Sequence, residues 1–188
     1  LFHLNSNLVW QRFLNRLFFL AKILPFRGII LDAGCGLGQN ACILKILRPD
    51  LEILGIDLYQ PQIWKKLEEF GCHFRKGDVL FSGFRKETFD AVISFGVMEH
   101  LNEEKPMGES GKDLHFLKEA YRILKPGGEF FIFHLPSKLS WSEKVAKVLG
   151  LWYHQQKYSK EEIEKLFFQT KFKNLEIKPY DLLPGQSG

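Results

Sequence analysis

The run Ile29-Ile30-Leu31-Asp32-Ala33-Gly34-Cys35-Gly36-Leu37-Gly38-Gln39-Asn40 confines the chain to a narrow set of folds. Ile29–Ala33 is a nearly continuous apolar run broken by a single acid, the pattern of a strand covered on both faces. Three glycines at alternate positions follow. Gln39–Leu47 then carries Ala41, Ile43, Leu44, Ile46 and Leu47 as the apolar residues of a helix that stops before Pro49. Glycine tolerates positive φ and has no Cβ to block approach, so a strand turning through glycines onto a helix lets a ligand lie almost on the backbone. The spacing is Gly-x-Gly-x-Gly, not the Gly-x-Gly-x-x-Gly of the dinucleotide fingerprint. With Asp32 just ahead of the turn, the run predicts a nucleoside-binding loop rather than a pyrophosphate cradle.

Strand and helix patterns then alternate. Residues 51–57 read as a second strand, followed by a helix with Pro61 in its first turn. Residues 73–79 are a third strand and Phe89–Phe95 a fourth. A helix over 113–124 places Leu114, Leu117, Ala120, Tyr121 and Leu124 on one face, and Lys125-Pro126-Gly127-Gly128 turns the chain into a fifth strand, 129–135. A capping box, Ser159 with Glu162, opens a helix over 159–168, and 175–180 is the last strand-like run. Such alternation predicts an α/β fold: a doubly wound, mostly parallel sheet with helices on both faces. The 188 residues, 45% hydrophobic, suffice for one domain with a substantial core, and no internal repeat is visible. Its expected parts are an N-terminal amphipathic helix in 1–27, a ligand-binding core in 28–135, an insertion in 136–158, and a C-terminal helix and strand in 159–188. The polar stretch 102–112 reads as a surface loop. The insertion, with Trp141, Trp152, Tyr153 and Tyr158, is expected to cap the sheet edge beside a substrate.

Charge and cysteine usage narrow the partners. The net charge of +4 is spread along the chain rather than gathered into a stripe, which disfavours nucleic acid. Cys35, Cys42 and Cys72 are odd in number and lack metal-ligand spacing, so buried free thiols in a reducing, cytoplasmic compartment are expected, with no metal site. The chain begins at Leu1 with no visible signal peptide. Residues 8–24 are interrupted by Arg12, Arg16 and Lys22 and fall short of a membrane span. They read as a helix capped near Ser6 or Asn7 and stopped by Pro25. Trp10, Phe13, Leu14, Leu17, Phe18 and Leu24 make its apolar face, available for packing on the domain, for a lid or for membrane-surface contact.

In an open parallel sheet the ligand lies beyond the strand carboxyl ends, at the switch point of strand order. Asp57 ends the second strand about 20 residues past the glycine turn, the distance of a carboxylate that accepts both ribose hydroxyls. Its two oxygens can each accept one bond. Asp78, at the end of the third strand, can accept an exocyclic amine. The plainer alternatives are a solvated turn acid at 57 and an ordinary Gly-Asp turn at 77–78.

Six motifs now stand in order: Leu31-Asp32-Ala33-Gly34-Cys35-Gly36-Leu37-Gly38, Gly55-Ile56-Asp57, Gly77-Asp78-Val79, Phe89-Asp90-Ala91-Val92-Ile93-Ser94, Met98-Glu99-His100-Leu101 and Leu124-Lys125-Pro126-Gly127-Gly128. In this the chain resembles class I S-adenosylmethionine-dependent methyltransferases, in the branch of small-molecule and quinone O-methyltransferases. The likeness covers residues 28–135 by specific motifs and 159–180 by general pattern. It implies a Rossmann-like sheet in the order 3-2-1-4-5-7-6, of which the chain reaches strand six and lacks an evident strand seven. It implies S-adenosyl-L-methionine as cofactor and S-adenosyl-L-homocysteine as product. Gly34, Cys35, Gly36 and Gly38 would lie against the methionine part, with Asp32 reaching its amino group directly or through water. Asp57 would hold the ribose, Leu58 would cover one adenine face, Asp78 and the Val79 N–H would read the adenine edge, and Ser94 and Phe95 would border the sulfonium.

Methyl transfer is an in-line displacement, so alignment of acceptor, carbon and sulfur is the protein's main contribution. A hydroxyl acceptor must also lose a proton. His100 is the first candidate base because it follows strand four, with a packing role beside the cofactor as the alternative; His134 and His154 face the expected acceptor side. His3, His73 and His115 read as surface or packing residues. The expected activity is methyl transfer to oxygen of a small-molecule or lipid-like acceptor, such as a quinone, phenol or lipid-linked sugar. A non-catalytic cofactor-binding accessory protein and an NAD(P)-dependent oxidoreductase are the alternatives. Oligomeric state is not legible.

Overall fold

The apolar runs of the sequence assemble into one parallel sheet in a computed structural model, which describes residues 2–102, 111–140, 148–150 and 156–178. In chain order the elements are α1 (Phe2–Ile23), β1 (Ile29–Ala33), α2 (Gln39–Leu47), β2 (Glu52–Asp57), α3 (Trp64–Leu67), β3 (Cys72–Lys76), β4 (Phe89–Phe95), α4 (Lys112–Ile123), β5 (Leu124–Phe133) and α5 (Lys160–Phe168). The strand order is β3-β2-β1-β4-β5, with every pair parallel. The chain winds outward from β1 to β3 and then crosses to β4, so order reverses between β1 and β4. The crevice beyond the carboxyl ends of those two strands is where such a sheet binds ligands.

β1 is central because its residues bury on both faces. Leu31 and Ala33 pack with Phe116, Leu117, Ala120 and Ile123 of α4, while Ile30 packs with Ala41 and Leu44 of α2, with Leu17 and Leu20 of α1 and with Leu24 just past it. At roughly 25 cal/mol per Å² of apolar surface, each of the buried Leu, Ile and Phe side chains among them contributes about 1.5–3 kcal/mol. The apolar face of α1 is narrower than its composition suggests. Leu17, Leu20 and Leu24 point inward, whereas Phe18 and Phe19 remain substantially exposed. Arg48, just past α2, fixes the end of α1. Its Nη1 donates to the Ala21 and Leu24 carbonyls at 2.8 and 3.1 Å and its Nη2 to Pro25 O at 2.9 Å. The same guanidinium meets both Asp50 oxygens at 2.7 and 2.6 Å. Packing on the domain therefore accounts for the second half of α1, and among the described residues no helix is long and apolar enough to cross a membrane.

Several boundaries differ from expectation. α1 starts at Phe2 rather than at a cap near Ser6 or Asn7. The helix after Pro61 shrinks to Trp64–Leu67 and a 3-10 turn at Glu68–Phe70, which Gly71 closes at φ +81°. β3 stops at Lys76 because the Asp78 side chain accepts the Leu80 N–H at 2.8 Å and turns the chain away. The Lys125–Gly128 turn lies within β5 as a bulge: Phe89 pairs with Leu124, then Ala91 with Glu129. Lys125 Nζ and the Ile29 N–H both meet Asp90 Oδ2, at 2.8 and 2.7 Å, which ties this bulge to the start of β1.

The expected sixth strand, 175–180, is a correction. Residues 175–178 form no ladder, and 179–180 lie outside the described residues. In the 3-2-1-4-5-7-6 order that segment neighbours strand seven and stands two places from β5. Among the described residues no strand fills the intervening place, and residues 175–178 have no ladder partner.

Candidate functional site

The glycine loop is held by the strand beside it. Gly34 and Cys35 both donate their N–H groups to Ile56 O of β2, at 2.8 and 3.0 Å, and the Gly38 N–H donates to Cys35 O at 2.8 Å. Gly34 and Gly38 have φ of +78° and +87°. A Cβ at Gly34 would lie 2.2 Å from Val97, and one at Gly38 would lie 2.7 Å from the Phe74 ring. Gly36, at φ +52°, faces open space instead, and a Cβ there would meet nothing within 4 Å. The loop thus presses two glycines into the protein and presents the third outward.

Three acids stand in a row across the strand ends: Asp32 in β1, Asp57 closing β2 and Asp78 just beyond β3. Asp32 is 0% exposed, and neither of its oxygens has a hydrogen-bond partner. Burial, then the charge of Asp57, push its carboxyl up to about 7; the nearby Ala41 N–H tempers the shift without completing a bond. An uncompensated buried carboxylate is costly unless a cation meets it. Asp57 is more open, its Oδ2 accepting from the Gly36 N–H at 2.8 Å and its Oδ1 from the Tyr59 N–H at 2.9 Å. Each oxygen keeps a further lone pair for a ligand hydroxyl. Leu58 is 65% exposed beside it. Val79 is buried in the core. Cys35 is also buried, and desolvation with the charges of Asp32 and Asp57 holds its thiol protonated.

On the other side of the switch point, Ser94 is fully buried with its Oγ unpartnered, and Phe95 stacks on Phe133 of β5 with centroids 4.6 Å apart. His100 is exposed in the 3-10 turn Met98–His100 that follows β4. His134 follows β5 at φ +62°, a conformation uncommon outside glycine, and its Nε2 meets the guanidinium of Arg16 from α1. His154 lies outside the described residues. His115 packs its ring 5.2 Å from Phe81 and His73 is exposed on β3, in keeping with surface or packing roles.

Three contributors escaped the sequence reading, and a fourth, Tyr158, was expected only as one of the aromatics of the 136–158 insertion. Trp64 donates its Nε1–H to Gly36 O at 3.0 Å. Val97 supports Gly34 from below. Arg16 reaches His134 across 118 residues. Tyr158 is buried and donates to Met98 O at 3.2 Å, while its backbone pairs with Pro136 and Lys138. Tyr158 thereby fastens the end of the 136–158 segment to the turn bearing His100. No periodicity marks any of the four, since each matters through one contact with a distant segment.

The partnerless Asp32 carboxylate, the outward Gly36 and the two-oxygen acceptor at Asp57 suit a ligand with a cationic amine at one end and a diol at the other. S-adenosylmethionine has both, so the residues present fit it. The methyltransferase-domain family model matches residues 31–132. Demethylmenaquinone methyltransferase of Thermus thermophilus is 34% identical over 113 residues, covering 57% of this chain and 47% of that protein. The tRNA (carboxymethyluridine(34)-5-O)-methyltransferase of Arabidopsis thaliana is 33% identical over 105 residues, covering 56% of this chain and 23% of that protein. The chain thus spans less than half the length of these curated relatives. An S-adenosylmethionine-dependent methyltransferase structure from Thermotoga maritima superposes with a TM-score of 0.65 at 22% identity, covering 87% of this chain and 72% of that one, and shares the fold. Glycine loop, strand order and matched motifs agree: the chain belongs to the class I S-adenosylmethionine-dependent methyltransferases.

Proposed function

We propose that this protein binds S-adenosylmethionine and transfers its methyl group to oxygen of a small-molecule or lipid-like acceptor. The observation that carries the reading is Asp32, a fully buried carboxylate without a partner at the head of the glycine loop. The cofactor, when bound, supplies a methyl carbon activated by a positive sulfur. Asp32 meets the amine, and Gly34, Cys35, Gly36 and Gly38 flank the methionine part. Asp57 accepts the ribose hydroxyls, Leu58 covers an adenine face, and Asp78 with the Val79 N–H reads the adenine edge. Ser94 and Phe95 border the reacting end. His100 takes the acceptor proton, within a domain that spans the whole chain.

Alignment of the reacting atoms is the protein's largest contribution, up to roughly 7–11 kcal/mol in well-oriented systems. The chemistry supports an ionisable acceptor, since loss of its proton creates the nucleophile. Calorimetric titration with S-adenosylmethionine and S-adenosylhomocysteine tests cofactor use. Binding of NADH in preference to either would favour an oxidoreductase. Methyl transfer from labelled cofactor to reduced quinones, phenols, lipid-linked sugars and bulk tRNA tests the acceptor class. The tRNA arm is included because one relative is a tRNA methyltransferase. Cofactor binding with no transfer to any acceptor would point to an accessory role.

A further inference from the structure

Both backbone polar groups of Gly36 are engaged by side chains from different elements. Its N–H donates to Asp57 Oδ2 at 2.8 Å, and its carbonyl accepts the Trp64 indole Nε1–H at 3.0 Å. Gly36 is the loop glycine that faces outward, so nothing in the core fixes it from the open side. Trp64 is 3% exposed, and its ring stacks on Phe74 at 5.2 Å with planes 17° apart. Phe74 is in turn the ring that abuts Gly38, 2.7 Å from where a Cβ would stand. One aromatic pair therefore reaches two of the three glycines, one by a hydrogen bond and one by contact.

We propose that Trp64 is a positioning residue for the cofactor, which sets the height of the glycine loop through Gly36 and couples the loop to the ribose acid Asp57. The proposal rests on the reading that this loop holds the methionine part of S-adenosylmethionine. A buried indole N–H finds a partner in most proteins. Here its partner is the one of the three loop glycines that the core leaves unsupported. Held at both ends, Gly36 leaves the loop in the shape that the ligand meets, and the ordering cost of binding falls.

The test uses the full chain and Trp64→Phe, which keeps the buried ring and its stack but removes the donor. In the ligand-free proteins, amide hydrogen exchange over residues 34–38 should quicken in the variant, with melting temperatures close together. S-adenosylhomocysteine affinity should fall about threefold to tenfold, the loss expected for one neutral hydrogen bond. Unchanged loop exchange, or quicker exchange with unchanged affinity, would overturn the positioning role. In the wild type the Trp64 indole N–H should exchange slowly and shift in nuclear magnetic resonance spectra as S-adenosylhomocysteine is added; a fast-exchanging, unresponsive signal would overturn the proposal even if the variant failed to fold. If the wild type binds no S-adenosylhomocysteine, the cofactor reading fails while the exchange comparison still decides whether Trp64 clamps the loop.

Discussion

Asp32→Asn is the substitution whose outcome the structure constrains most tightly. The wild-type carboxyl is fully buried and pushed from an ordinary 3.8 to about 7, first by desolvation and then by Asp57. Because the folded value is raised, the native state binds the proton more tightly than the unfolded chain. Stability conferred by the protonated form is complete below about pH 4, declines as pH rises toward 7 and is lost above it. At roughly 1.4 kcal/mol for each tenfold, the full effect is about 4 kcal/mol. Asparagine keeps the shape without the charge, so the variant should gain on the wild type as pH rises. Between pH 5 and pH 8 the difference in urea-unfolding free energy should grow by about 3 kcal/mol, following the same linkage. A gap that stays flat across this range would refute the assignment of a strained, partnerless carboxylate. The ligand should reverse the ranking. S-adenosylhomocysteine brings a cation to Asp32, so wild-type affinity should rise with pH up to about 7, by at most about tenfold per pH unit, and then level off. The variant should bind more weakly with little pH dependence, as calorimetry would read directly.

Other substitutions probe the scaffold around the site. Gly38→Ala places a Cβ at φ +87° and 2.7 Å from Phe74, and should cost about 2–4 kcal/mol from strain and overpacking, seen as a lower unfolding free energy. Arg48→Met removes three bonds to the carbonyls that end α1; denaturant unfolding should show a loss of about 2–3 kcal/mol. Tyr158→Phe deletes the donor to Met98 O and should lower stability by about 1 kcal/mol, measured by thermal unfolding. If methyl transfer is observed, the same variant should lower kcat more than it weakens cofactor binding, since Tyr158 supports the turn of His100 rather than the glycine loop.

Local chemistry was enough to place the strands and turns around the glycine loop from the chain. Glycines at alternate positions, an acid closing each of two strands and a buried apolar run all report conformations set by neighbouring residues. For that reason β1, α2, β2 and β4 stand within a residue of expectation. Boundaries slipped where a side chain intervened, as Asp78 does in ending β3 and as Asp90 does in anchoring the bulge of β5. The segment expected as strand six shows the complementary limit, because a strand exists only beside another and its neighbour is not a property of its own residues.

The sequence by itself determined the glycine loop, the two flanking acids and the parallel character of the sheet, since these follow from backbone permissiveness, charge and hydrophobic pattern within short windows, while the strand order was what the family resemblance implied. The tertiary structure alone decided that Asp32 is left without a partner, that Gly36 is gripped from both sides by Asp57 and Trp64, and that Arg16 meets His134. Each of those facts depends on two distant segments arriving at the same point, and burial converts that meeting into energy: a carboxylate that is ordinary in water becomes, at the end of β1, one that needs a cation.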